Sequence, residues 1–96
     1  MQKLMYIYYQ FGNGDIAQGK RILKQIAERL EHARNKHTEQ EWQNMNVMQA
    51  YNALNEEKHE VCKSICHETE ERMQDELKDV IAVAVRMWNK EYGNRN

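Results

Sequence analysis

The chain has 96 residues, 30% charged and 41% hydrophobic, with no proline, four glycines and a formal net charge of −1. With a mean hydropathy of −1.00, this describes one small helical domain whose narrow apolar stripes bury little surface unless several chains share a core. The charge balance and the lack of a dense basic run argue against a nucleic-acid partner, and no stretch has the length and apolarity of a membrane span.

Residues 1–14 form an apolar, tyrosine-rich arm ending in Gly12-Asn13-Gly14, a turn signal. Leu4, Ile7, Tyr8 and Phe11 have helical spacing, but Tyr6 to Phe11 also alternates as an edge strand would, and the pattern does not choose. The arm lacks the cleavage region of a signal peptide, and its expected place is against a partner or against its own bundle.

Residues 15–96 read as one helical domain. Asp15 is a suitable N-cap for a helix to about Asn35, with Ile16, Leu23, Ile26, Ala27, Leu30 and Ala33 on one stripe. Lys36-His37 interrupts that pattern. Thr38 and Glu41 have capping-box spacing, so a helix can begin there, although the Asn-rich run 43–46 leaves its first turns open. From Val47 the pattern is firm: Val47, Tyr51, Leu54, Val61 and Ile65 share a stripe, and Glu57 falls where an apolar residue would otherwise stand. After a break at 67–69, Glu70 and Glu71 suit the positive end of a last helix. That helix carries Met73, Leu77, Val80, Ile81, Ala84, Met87 and Trp88, and is predicted to reach about Tyr92 before Gly93 ends it. Trp88 is predicted to lie in the core or at an interface. The expected fold is all-α, an antiparallel bundle of three main helices completed by oligomerisation.

The charge is unevenly spread: residues 1–36 carry seven Lys/Arg against three acids, and residues 37–96 seven against twelve. A basic first part lying against acidic helices would explain this, as would a surface that takes phosphates. Cys62 and Cys66 make no disulfide framework, and reduced thiols fit a cytoplasmic setting. His59 with the two cysteines could line three soft ligands along one stripe, but zinc lacks an evident fourth ligand. His37, His59 and His67 have no partner for a catalytic dyad, and no glycine loop suited to cradling phosphate is present.

Two carboxylate pairs are more informative. Glu57 with Glu60, and Glu76 with Asp79, each stand three residues apart and so share a helix face. They are interleaved with Leu54, Val61, Met73, Leu77, Val80 and Val83. Acids on such a stripe need compensation, and the chain offers too few evident inward cations for four. Facing one another across a helix pair, they would repel and be costly to desolvate without a cation between them. A hard divalent ion with oxygen ligands, Mg²⁺ first and Mn²⁺ second, answers that need. The alternative is a solvated acidic face on a non-catalytic helical dimerisation module.

Residues 53–61 (ALNEEKHEV) and 75–88 (DELKDVIAVAVRMW) resemble the all-α nucleoside triphosphate pyrophosphohydrolases of the MazG type, most closely the short phage and bacterial forms. The similarity spans roughly residues 25–92. Relatives include dimeric dUTPases, dCTP pyrophosphatases and phosphoribosyl-ATP pyrophosphatases. The resemblance implies hydrolysis between the α- and β-phosphates of an NTP or dNTP, and a helical homodimer or homotetramer. It makes Glu57, Glu60, Glu76 and Asp79 the Mg²⁺ ligands and Glu56 the first Glu of the motif. The chain departs from the family at His59, where a Gly is common, and at Arg86, where some relatives carry a substrate-holding Asn. Glu56 is the candidate base for the attacking water. Arg86 and Lys90 are candidate clamps on the phosphates, with Arg34 and Lys36 behind them. Trp42 is a candidate platform for a nucleobase. A regulatory protein that binds a nucleotide without turnover would carry the same residues.

Overall fold

The computed structural model describes residues 2–92, and it is all-α, with no strand among those residues. Its helices are α1 (Lys3–Phe11), α2 (Ile16–Lys36), α3 (Glu39–Gln43), α4 (Val47–His67) and α5 (Glu70–Asn89). The three long helices lie where the apolar stripes predict them; α1 and α3 make five in place of three.

The arm is a helix, and glycine explains how it docks. A Cβ on Gly19 would land on the Tyr8 carbonyl oxygen, and one on Gly12 on the carbonyl oxygen of Asp15. The backbones of α1 and α2 therefore touch where only hydrogen fits. Between them, Asn13 and Gly14 take positive φ (53° and 95°), and the Gly14 N–H donates to the Tyr9 carbonyl at 2.8 Å. Asp15 then caps α2 by accepting from the Gln18 N–H at 3.1 Å.

Thr38 does start a helix, accepting from the Glu41 N–H at 3.2 Å. It lasts only five residues, because Asn46 and Gln49 form a full capping box, both bonds 2.8 Å, that opens α4. Thr69 caps α5 through the Arg72 N–H. The end of α5 differs from the prediction: it stops at Asn89, not near Tyr92, and Lys90 is already extended (φ −80°, ψ 135°). Lys90 Nζ donates to the Gln43 carbonyl at 2.8 Å, and Tyr92 turns back onto the core. Gly93 lies outside the described residues.

Helix α5 packs against both α2 and α4, and α1 packs on α2. Arg29 meets Asp79, while Ala33 and His37 meet Arg86, so α2 and α5 run in the same sense. Helix α4 runs against α5, with Ala50 beside Val83 and Glu57 beside Asp79. The core centres on Trp42, Ala50 and Val83, with Leu54, Met87 and Tyr92 against it. Trp88 is not part of it, being 89% exposed. Its position follows that of Met87 by one residue, and a rotation of 100° carries it to the outer face.

Arg86 fastens α2 to α5. It is buried, and donates to the carbonyls of Ala33 (3.2 Å) and His37 (3.0 Å) and to Glu39 Oε1 (3.1 Å). The last carbonyls of a helix carry partial negative charge, so a buried cation is favoured there; the Ala33 carbonyl also accepts from the His37 N–H at 2.9 Å.

The close crossing of α1 and α2 makes a direct prediction. Gly19→Ala should destabilise the protein by about 1–3 kcal/mol, the usual cost of overpacking, read as a lower thermal midpoint. Ala17→Gly on the exposed face of α2 should cost less than about 1 kcal/mol.

Candidate metal centre

Because α4 and α5 are antiparallel, Glu57 is brought beside Glu76 and Asp79. One oxygen from each lies within 4.8 Å of the others, the only such grouping of acid, histidine or cysteine side chains among the described residues. Three of the four predicted ligands thus converge. Glu60 is half-buried and outside the group, although its charge still reaches Glu76. His59, Cys62 and Cys66 are exposed and form no such grouping, so the soft-ligand stripe does not assemble.

Each of the three acids has a cation. Arg29 grips Asp79 with both arms of its fork, Nε to Oδ1 at 2.8 Å and Nη2 to Oδ2 at 2.6 Å. Arg72 Nη2 donates to Glu76 Oε1 at 2.8 Å, and Lys36 Nζ stands 3.5 Å from Glu57. Inward cations are few, as expected: of the three, Arg29 alone is partly buried, Arg72 and Lys36 come in from solvent, and no ion pair reaches Glu60 among the described residues. Two of them, Arg29 and Lys36, come from the basic first part of the chain lying against the acidic helices. The three pairs are not equivalent: the Arg72 and Lys36 side chains are 54% and 62% exposed, that of Arg29 only 28%. Solvent screens the first two heavily.

Glu76 is the most buried of the acids. Burial pushes its carboxyl above the ordinary range, and the charge of Asp79 adds to this; Arg72 opposes, and Glu57 and Glu60 push further upward. The hydrogen bond to Asp79 leads in raising the Arg29 guanidinium.

A cleft opens beside the acids, lined by His32, Lys36, Glu56, Glu57, Asp79 and Arg86, with Trp42 as its floor. Glu56 is exposed at its rim, one residue from Glu57 and without an ion-pair partner among the described residues. Trp42 does not stand free as a platform. It is 2% exposed, the Arg86 guanidinium covers one face at 4.6 Å from the ring centre, and its indole N–H points to the Arg86 carbonyl at 3.4 Å. Arg86 reaches the cleft while spending its terminal nitrogens on the α2–α3 junction; its buried Nε has no partner. Lys90 is buried away from the cleft, over Tyr92 and on Gln43. Arg34 is exposed and pairs with Glu39 at 3.6 Å.

Sequence reasoning missed Arg29, although a signal was present. It stands three residues after Ile26 and four before Ala33, a cation on the apolar stripe, and so calls for a buried anion by the same logic as the acids.

Comparison of the chain with protein-family models, curated proteins and solved structures finds no match.

Glu76 binds its proton more readily folded than unfolded. Its contribution to stability is therefore least above its folded pKa and grows as pH falls toward the ordinary carboxylate range. In chelator at mildly alkaline pH, Glu76→Gln should melt a few degrees above the parent protein. Melting curves at stepwise lower pH should show that difference shrinking.

Proposed function

We propose that the chain is a Mg²⁺-dependent nucleoside triphosphate pyrophosphohydrolase of the MazG type, releasing a nucleoside monophosphate and pyrophosphate. The observation that carries this reading is the convergence of Glu57, Glu76 and Asp79 from two helices at the edge of a cleft that also holds cations. The likeness of residues 53–61 and 75–88 to that family supplies the reaction.

The donors suit the ion. All are hard carboxylate oxygens, the class that Mg²⁺ and Mn²⁺ favour. Around Mg²⁺ neighbouring oxygens stand about 3 Å apart and opposite ones about 4.2 Å, so three oxygens within 4.8 Å of one another draw together to share one ion. Glu60, one turn along α4 from Glu57, completes the quartet by a change of rotamer.

When bound, the metal offsets phosphate charge and makes a coordinated water more acidic. Glu56, left free of ligation at the rim, takes the proton of the water that attacks the α-phosphorus. The bond from that phosphorus to the bridging oxygen breaks, and pyrophosphate leaves. Lys36 is exposed and only loosely tied to Glu57, so it is available to the phosphate tail; Arg86 adds positive charge at the inner wall. Trp42 shapes the floor, and Lys90 supports it from behind by holding Gln43.

Assembly into a homodimer or homotetramer belongs to the same reading. A monomer of 11.6 kDa is expected to expose about 5,800 Å², whereas this chain exposes 7363 Å². The excess, about 1,500 Å², is close to what one chain buries in an obligate interface. Helix α1 has no buried residue, and Leu4, Tyr6, Ile7 and Phe11 are 41–56% exposed.

A second reading has its own support. Three acids matched by three cations are neutral without metal, which suits a non-catalytic helical dimerisation module. A pyrophosphate-release screen over all NTPs and dNTPs with Mg²⁺ separates the two. The enzyme reading expects release from at least one of them, reduced on the order of 100-fold or more by Glu57→Gln or Asp79→Asn. Nucleotide binding with no release would leave the regulatory reading, and no metal binding at all would leave the dimerisation module. Light scattering should give a mass of two or four chains, and Ile7→Glu with Phe11→Glu should return a monomer.

A further inference from the structure

Arg29 donates to both oxygens of Asp79, so any cation held by Glu57, Glu76 and Asp79 shares one of them with a guanidinium of its own sign of charge. We propose, resting on the metal reading above, that Arg29 is an exchangeable counterion: it holds Asp79 until a divalent ion arrives with a nucleotide, then yields one oxygen and turns its freed N–H groups to the phosphates.

The geometry favours exchange at this residue. Arg72 and Lys36 are mostly in solvent and can swing aside at little cost, whereas Arg29 is 28% exposed and projects from α2 where that helix packs on α5, tied to Asp79 by two bonds. A guanidinium beside a bare divalent ion is repelled by it. Once a polyphosphate sits on that ion, the same guanidinium finds several oxygens carrying negative charge, which its planar fork can grip in pairs. Metal alone repels Arg29 and offers it nothing in return, whereas metal with nucleotide gives it new partners. Arg29 thus couples the two ligands, and each should strengthen the other by the same factor.

The test measures binding rather than turnover. Mg²⁺ is titrated calorimetrically into the full chain with and without a non-hydrolysable α,β-methylene nucleotide, for the parent protein, Arg29→Met and Arg29→Lys. Arg29→Met should bind Mg²⁺ alone about 5- to 100-fold more tightly, the range of ordinary site coupling, and should bind the Mg²⁺-nucleotide pair more weakly than the parent does. Its thermal midpoint should fall in chelator and recover more on adding Mg²⁺. Arg29→Lys, which keeps the charge but gives one bond in place of two, should move Mg²⁺ affinity the same way by a smaller factor, and it carries the test if the Met variant does not fold. An arginine that serves structure alone would change Mg²⁺ affinity by the same factor with and without the nucleotide, or not at all, and that result overturns the proposal while leaving the metal site standing. Failure of all three proteins to bind Mg²⁺ or Mn²⁺ removes the metal reading and this inference together.

Discussion

Three carboxylates whose oxygens stand within 4.8 Å of one another cannot all be charged unless positive charge lies among them. At an effective dielectric of about 20, each pair at that distance repels by roughly 3–4 kcal/mol, so the trio approaches 10 kcal/mol. A domain of this size has a total stability of about the same order. The placing of α2 along α5 answers that constraint, because it delivers Arg29 to Asp79. The same two helices are joined again farther along by Arg86, which reaches the carbonyls at the end of α2. Both ties are charge-assisted and run between named polar atoms. They matter because the apolar core is slight, with five hydrophobic residues buried among the described ones: Ile26, Trp42, Ala50, Ala82 and Val83.

A chain with so small a core has its remaining apolar surface outside. Helix α1 shows how this arises. It is docked through backbone contact at Gly12 and Gly19, which brings the helix axes together without burying any of its side chains. Leu4, Tyr6, Tyr9 and Phe11 therefore stay outward, with only Tyr8 half-buried among its tyrosines, and Leu77, Ile81 and Trp88 on α5 are exposed as well. Local glycine chemistry and global surface excess point the same way: the hairpin of α1 and α2 presents apolar residues instead of covering them.

Periodicity located the long helices because their stripes and caps act locally. Asp15, Thr38 and Thr69 each accept a backbone N–H from inside the helix that follows, and that chemistry is written in three or four consecutive residues. The end of α5 was not legible, since it depends on Lys90 finding Gln43 and on Tyr92 folding back onto the core cluster. The arm was ambiguous for a similar reason: helix and strand patterns coincide over six residues, and the deciding contact is with Gly19. Of the acids, Glu57, Glu76 and Asp79 were readable as a group because i and i+3 spacing puts acids on faces that antiparallel helices can bring together. Glu60 obeys the same rule yet stands outside, since spacing fixes the face and not the rotamer. Trp42 and Arg86 were read separately as ligands of substrate, but the fold stacks them on each other, a pairing between residues 44 apart that no local pattern announces.

The cations sharpen what the acids alone left open. An unmatched acidic cluster would demand a metal, whereas a matched one only permits it, so the strength of each match decides how the cluster behaves. Arg72 and Lys36 meet their acids from solvent, where such pairs contribute little and exchange easily. Arg29 meets Asp79 through two short bonds from a partly buried position, and that pair is the one a ligand must contend with. Glu76 gains least from this scheme: it is the most enclosed acid, its own cation is the exposed Arg72, and its carboxyl is pushed upward by burial and by its neighbours. A divalent charge placed among the three would help Glu76 most and Asp79 least. The site is therefore strained at one acid and satisfied at another. That asymmetry, more than the count of carboxylates, gives an entering cation both something to gain and something to displace.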